Sequence, residues 1–303
     1  MTDSTIVTTP VYQNSNPIIT SPFLPRKLGR PTKEMVAARK AAEQARVNKP
    51  KKPDAEIIAD IADGFCELEH MTEDLALGKV RAVIVTSLPG MGKTYTINRK
   101  LEQMNRRFIS STGGVSASEL YKLSYKYKHR GETLVFDDCD NIFRDEDSLN
   151  ILKGMCDTTR KRVVSWRKDN RSMADDNIEK SHTYEGGVIF STNMDFQAFV
   201  DEGKNKYSSH MAALISRAYY LDLHLHDTHS LSLWINHVAV EGKMFEQEDI
   251  KPALGREILG FLHANKDTLR EYSLRTVKKV CDLTKSRHGN WERRAKKYLC
   301  RAV

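Results

Sequence analysis

At 303 residues the chain is longer than one average domain and can bury a sizeable core. Charged residues make up 29% and apolar residues 40%, and no apolar run approaches the roughly 18 residues of a helical membrane span, so a soluble, cytoplasmic protein is expected. The five cysteines, Cys66, Cys139, Cys156, Cys281 and Cys300, are scattered without a C-x-x-C pair, which argues against a disulfide framework and against a zinc site.

The formal net charge of +8 is concentrated in residues 26–52, where ten Lys/Arg face only Glu34 and Glu43. Residues 1–25, rich in Thr, Ser, Asn and Pro, have no usable period and read as disordered. Gly29-Arg30-Pro31 resembles the core of an AT-hook, a short arm that lays an Arg in the minor groove of A·T-rich DNA, although Leu28 stands where a flanking Arg is usual. A basic helix over 32–47 and the run Lys49-Pro50-Lys51-Lys52-Pro53 complete an expected disordered basic leader, residues 1–53. Its charge suits a solubilising tail as well as a DNA contact.

From 54 to 77, Ile57, Ile58, Ile61, Phe65 and Leu68 recur at helical spacing, and Ala82-Val83-Ile84-Val85-Thr86 then reads as a buried strand. Ser87-Leu88-Pro89-Gly90-Met91-Gly92-Lys93-Thr94 follows and leads into a helix over 94–104. Strand, Gly-rich turn, Lys-Thr, helix is the context that a phosphate-binding loop requires, because converging N–H groups at a helix N-terminus favour anions. Gly90 and Gly92 let the backbone approach closely, Lys93 would bridge the β- and γ-phosphates, and Thr94 would offer its hydroxyl to Mg²⁺. With Tyr95 these residues form the expected nucleotide-binding segment. Ser87 replaces the first glycine of the usual pattern, at modest expected cost, because the N–H groups that matter most lie between Gly90 and Thr94.

A strand near 107–111 and a helix over 116–128 come next. The stretch from Tyr121 to Arg130 alternates Tyr and Lys, a pattern that suits nucleic acid by stacking and charge, or equally a helix burying Leu120, Leu123 and Tyr127. Thr133-Leu134-Val135-Phe136-Asp137-Asp138 is an apolar strand ending in two carboxylates, which a Mg-nucleotide site explains: Asp137 for the ion, Asp138 to polarise the attacking water. A helix over 147–156 precedes the basic run 160–168, which opens on Arg160-Lys161-Arg162, contains Trp166 and closes on Arg167-Lys168. It reads as one arm of a hairpin, followed by a polar loop to Thr183. Residues 187–193 form a strand ending in Ser191-Thr192-Asn193, and 218–223 a fifth strand. Alternating strands and helices imply an α/β fold with a five-stranded parallel sheet and helices on both faces. From 227 onward the pattern is helical (231–240, 247–264, 274–285, 291–301), giving expected domains at 54–226 and 227–303. His224, His226 and His229 have no partner cluster of metal ligands and read as satisfied or exposed histidines.

The order of these motifs resembles the AAA+ family of ring-forming ATPases, from about residue 55 onward. S-L-P-G-M-G-K-T looks like the family's Walker A motif and T-L-V-F-D-D like Walker B. Phe190-Ser191-Thr192-Asn193 looks like sensor 1, an amide that orients the attacking water. Ala213-Leu214-Ile215-Ser216-Arg217 is similar to the segment whose arginine finger enters a neighbour's site. Ser273-Leu274-Arg275-Thr276-Val277 resembles sensor 2, where a lid Arg touches the nucleotide. F-D-D-C-D-N-I-F-R-D-E-D and N-W-E-R-R-A-K-K-Y-L are similar to segments of small AAA+ ATPases of tailed bacteriophages. The resemblance implies a P-loop NTPase sheet with a helical lid, ATP and Mg²⁺ as cofactors, and assembly into a ring or partial ring. It implies hydrolysis by Lys93, Asp138, Asn193 and Arg217, with Arg275 on the nucleotide. It further implies work on DNA in phage replication within the host cytoplasm, with a helicase or other replication protein as partner. DNA would be met by the leader and by the 160–168 hairpin, since hairpins inserted there often line the family's channel. Family members usually carry Glu where this chain has Asp138, one methylene shorter, and a ~1 Å misplacement costs on the order of a hundredfold in rate. The rival reading is therefore an ATP-gated, helicase-loader-like or partner-remodelling module with slow hydrolysis.

Overall fold

The computed structural model describes residues 52–168, 176–202, 206–225 and 227–301. The expected AT-hook, the basic helix and all of the expected disordered leader but Lys52 and Pro53 fall outside these residues, as does His226.

The uncharged run Ala82–Thr86 forms β1, every residue of it buried. The other strands are β2 (Phe108–Thr112), β3 (Thr133–Asp137), β4 (Val163–Ser165), β5 (Ser181–Thr183), β6 (Gly187–Thr192) and β7 (Tyr219–Asp222). Five of them make one sheet in the order β2-β3-β6-β1-β7, with every pairing parallel. The central strands β1 and β6 are buried throughout, whereas the edge strands β2 and β7 are partly exposed. This is the pattern of a parallel sheet covered on both faces.

Side chains alternate between two cores, as the two-residue period of a strand requires. Val83, Val85, Val135 and Ile189 point to one side, against α1 (Asp54–Ala76) and α2 (Lys93–Gln103) through Phe65, Leu68, Leu75, Ile97 and Leu101. Ala82, Ile84, Leu134, Phe136, Val188 and Phe190 point to the other. There they meet Leu120 and Tyr121 of α3 (Ala117–Lys126) and Leu149 and Leu152 of α4 (Glu146–Met155). Two helices between β6 and β7, α5 (Phe196–Glu202) and α6 (Ser208–Ile215), were not evident in the sequence.

The helical half comprises α7 (Thr228–Val240), α8 (Met244–Gln247), α9 (Pro252–Ala264), α10 (Leu274–Lys285) and α11 (Trp291–Leu299). It has its own core, built on Ile235, Ile258, Leu262, Val277, Val280 and Ala295. The helix expected over 247–264 starts later, at Pro252, and the short α8 before it ends at Gln247. Pro252 lacks an N–H and stands at the start of α9, with the preceding Lys251 extended at ψ 146°, so the helix begins there. Asp227 and Asn290 cap α7 and α11, each accepting a backbone N–H three residues on.

Two expectations for the Tyr/Lys stretch and the hairpin change. Tyr121, not Tyr127, is the fully buried ring of α3. Its hydroxyl donates to the Glu179 carbonyl at 2.6 Å, so it offers no face to a nucleic acid. The hairpin arm does form, but its partner β5 lies within the expected polar loop, pairing Val163 with Thr183. Two of its candidate DNA-facing residues turn inward. Arg162 is buried, donating to the Met155 and Gly186 carbonyls at 2.7 and 3.0 Å, and Trp166 packs on Tyr121 with ring centroids 6.1 Å apart. Arg160, Lys161 and Arg167 stay exposed, and Lys168 pairs with Asp147.

Gly187, at the start of β6, has no room for a side chain: a Cβ there would lie 2.2 Å from Cδ2 of the fully buried Leu75. Replacing Gly187 with Ala should therefore destabilise the fold by about 1–3 kcal/mol through overpacking. Urea unfolding checks this, as a lower midpoint at unchanged slope.

Candidate functional site

The parallel register brings the C-terminal ends of β1, β6 and β3 side by side, with Thr86 opposite Thr192 and Ser191 opposite Asp137. The chain leaves β1 through the Gly-rich loop and enters α2 at Lys93, with Gly92 as N-cap at φ 106°. Gly90 has φ 70°, and both angles lie where a side chain is strained. Ser87, in the position expected to cost little, needs no such angle. It is fully buried, and its hydroxyl and carbonyl accept from the Lys93 ammonium at 2.8 and 3.1 Å. It acts beneath the loop, not on its surface.

Lys93 also donates to Oδ1 of Asn193 at 3.0 Å. The other end of that amide, Nδ2, donates to Oδ1 of Asp138 at 2.8 Å. Beside this chain of contacts the Thr94 hydroxyl donates to Oδ1 of Asp137 at 2.8 Å. Asp138 adopts φ 51°, a left-handed turn that Asp tolerates better than most residues, and its N–H is held by the Ser191 carbonyl at 2.9 Å. Burial lowers the Lys93 pKa to about 8, against the opposing pull of Asp138, Asp137 and Asp140. Burial, and next the Asp137 charge, raise the Asp138 carboxyl above its ordinary value.

These groups open into one cavity of about 660 Å³, lined by Gly90 to Thr96, Asp137, Asp138 and Asn193 from the α/β half and by Leu274 and Arg275 from the helical half. Phe65 and Trp234, stacked at 4.6 Å, line it too. The sequence reading missed this pair, because both rings sit at helical spacing like ordinary core residues. The helical half is tied to the loop itself: Leu274 N–H donates to the Gly90 carbonyl at 3.1 Å, and the Trp234 indole to the Met91 carbonyl at 3.3 Å. Arg275 lies 3.7 Å from Glu271, and the Tyr95 hydroxyl donates to Gln247 at 3.3 Å. Pro89 and Met91 line the cavity, and Leu88 does not. Arg217, in the turn after α6, lies outside it, donating to the Ala213 carbonyl of that helix at 2.7 Å. His224 and His229 pair with Asp222 and Asp54 at 2.6 and 2.8 Å.

The residues fit a magnesium polyphosphate. The Lys93 ammonium is buried with only neutral oxygens as direct partners, a charge that an anion would compensate. The Thr94 hydroxyl and Asp137 carboxylate are hard oxygen ligands of the kind Mg²⁺ takes beside phosphate and water. Among the described residues no group of three His, Cys, Asp or Glu forms a self-sufficient metal site, and no helix is long and apolar enough to cross a membrane.

No protein-family model matches the chain. An uncharacterized 36.7 kDa protein from the nrdC-mobD intergenic region of enterobacteria phage T4 is 29% identical over 238 residues, 77% of this chain and 73% of its own length. Among solved structures, the RuvB Holliday junction branch migration motor of Thermotoga maritima is similar at 14% identity and a TM-score of 0.43, over 78% of this chain and 68% of that one. A point mutant of the same protein stands at 12% identity and a TM-score of 0.45, over 79% and 69%.

The lowered pKa of Lys93 has a sign that can be tested. A bound polyphosphate raises that pKa, so above pH 8 the complex holds a proton that the free protein has released. Affinity for a nucleoside triphosphate should then be flat between pH 7.5 and 8 and fall by up to tenfold per unit above. Titration calorimetry across pH 7.5–9.5 reads it, and flat affinity would mean either that free Lys93 stays charged over this range or that it does not meet the phosphate.

Proposed function

We propose that this chain is an AAA+-type ATPase that binds and hydrolyses Mg-ATP as an oligomer and applies the cycle to DNA, by remodelling it or moving along it, in phage DNA metabolism. The observation that carries the reading is the line Lys93–Asn193–Asp138 beside the pair Thr94–Asp137, at the ends of three adjacent parallel strands. A likeness to a phage T4 protein supports the phage setting, and the basic character of residues 26–52 supports a DNA target.

Each residue has a task. The N–H groups of the Gly90–Thr94 turn receive the phosphates, and Lys93 exchanges its neutral partners for phosphate oxygens. Thr94 and Asp137 would hold the metal. Bound Mg²⁺ supplies positive charge at the phosphate oxygens as negative charge develops there. Asn193, once released by Lys93, keeps Oδ1 of Asp138 fixed while the remaining carboxylate oxygen accepts a proton from the attacking water. The raised pKa of Asp138 favours that acceptance. Arg275 reaches the nucleotide from the helical half, and Arg217, remote from its own cavity, would complete the site of a neighbouring subunit. In this reading 54–226 is the nucleotide-binding domain and 227–303 the helical lid.

The shorter Asp138 favours a second reading, an ATP-gated module that resembles a helicase loader and hydrolyses slowly. Turnover measured against protein concentration, with and without single- or double-stranded DNA, decides between them. Cooperative, DNA-stimulated turnover supports the motor, and tight ATP binding with turnover no faster than that of Lys93→Ala supports the switch.

The finger assignment has its own test. Arg217→Ala should retain ATP binding yet lose on the order of 10³-fold in turnover. Mixing it with Lys93→Ala should recover activity, since the second variant can donate Arg217 to the first one's intact site. Absence of recovery, together with turnover independent of concentration, would place Arg217 among structural residues.

A further inference from the structure

Helix α11 carries a cluster of cations on its outer side. Its inner side is the fully buried Ala295, with Trp291 edge-on to Phe261 at 5.5 Å. Its outer side presents Arg293, Lys296 and Lys297, all exposed, at the three- and four-residue spacings that share one helix face. The antiparallel bridge between Leu269 and Cys300 adds two more cations at the end of this helix. Arg270 N–H donates to the Leu299 carbonyl and Arg301 N–H to the Thr268 carbonyl, both at 2.8 Å, and both side chains are exposed.

Within residues 266–270 and 291–301, seven Lys/Arg face only Asp267 and Glu292. Several cations elsewhere on the surface have acids beside them: Lys79 has Asp74, Lys100 has Glu73, and Lys278 and Lys285 share Glu248. Among the described residues, Arg270, Arg293, Lys296, Lys297 and Arg301 have none within ion-pair distance. The helix dipole accounts for Lys296 and Lys297 in the last turn, but Arg293 sits in the first turn, where a cation is disfavoured. Like charges at this spacing also repel. Both costs are relieved by a polyanion. Tyr298, 54% exposed, stands directly beside the cations in sequence.

We propose that this face, formed by α11 and the Leu269–Cys300 bridge, is a DNA-binding surface. Its cations take the backbone phosphates of a strand, and Tyr298 offers its ring to an unpaired base. The site is separate in sequence from the leader and from the 160–168 hairpin, and it rests on the DNA-directed reading above.

Fluorescence anisotropy of the full chain with single- and double-stranded oligonucleotides of equal length, over a range of salt, tests it. The triple variant Arg293→Gln, Lys296→Gln, Lys297→Gln should weaken both complexes and reduce the salt slope on single strands by about 2, at ~0.7 per phosphate contact. Tyr298→Ala should weaken single-strand binding about tenfold and leave duplex binding unchanged, with Tyr298→Phe restoring it. Affinity and slope unchanged in the triple variant would overturn the proposal, as would a wild-type chain that binds neither oligonucleotide. Polyglutamate displacing DNA at equal charge would overturn it too, marking the face as a site for an acidic protein. ATP affinity on the same samples should match wild type in every variant. Its absence in the wild type would remove the nucleotide reading and leave the DNA contact standing.

Discussion

Everything in the candidate site depends on one buried cation. The Lys93 ammonium sits beneath the Gly-rich loop with Ser87 and Asn193 oxygens around it and no carboxylate in direct contact. Burying such a charge without a counterion is costly, and the lowered pKa is the visible part of that cost. The arrangement persists because the sheet over-determines it. β6 lies between β1 and β3, so Asn193 at its end reaches Lys93 on one side and Asp138 on the other. A one-residue slip in either pairing would send these polar ends to the opposite face and bury charge in the core.

Much of this could be read from the residues in order. Val83, Ile84 and Val85 announce a strand buried on both faces, and the glycines after it announce a turn into a helix, because both signals are local and strong. The carboxylate pair after Phe136 is legible for the same reason. What escaped depends on distance in sequence. Trp234 lies far along the chain from Phe65, and nothing in the spacing of either helix says that the two rings meet at the loop. The later start of α9 was signalled by Pro252, yet the apolar period runs through it. Short helices α5 and α6 lack a sustained period of their own.

The basic residues show how poorly charge alone predicts exposure. Arg162 and Trp166 lie in a run that reads as a surface arm, but the guanidinium ties two carbonyls and lies 5.0 Å from the Tyr184 ring, so the hairpin is pinned by its own cation. By contrast Arg293, Lys296 and Lys297 of α11 are exposed with no acid within ion-pair distance among the described residues. Partners, and not counts, separate the two cases.

The bond from Leu274 N–H to the Gly90 carbonyl joins the backbone of the loop to the first turn of α10. Ser273 stands so close that a Cβ on Gly90 would meet its hydroxyl at 2.7 Å. Movement of the loop at Gly90 therefore either breaks this bond or carries α10 with it. Whatever free energy a ligand invests in moving Gly90 is shared with the orientation of α10, and linkage makes the coupling reciprocal: a contact that swings the helical half must alter affinity at the loop by the same factor.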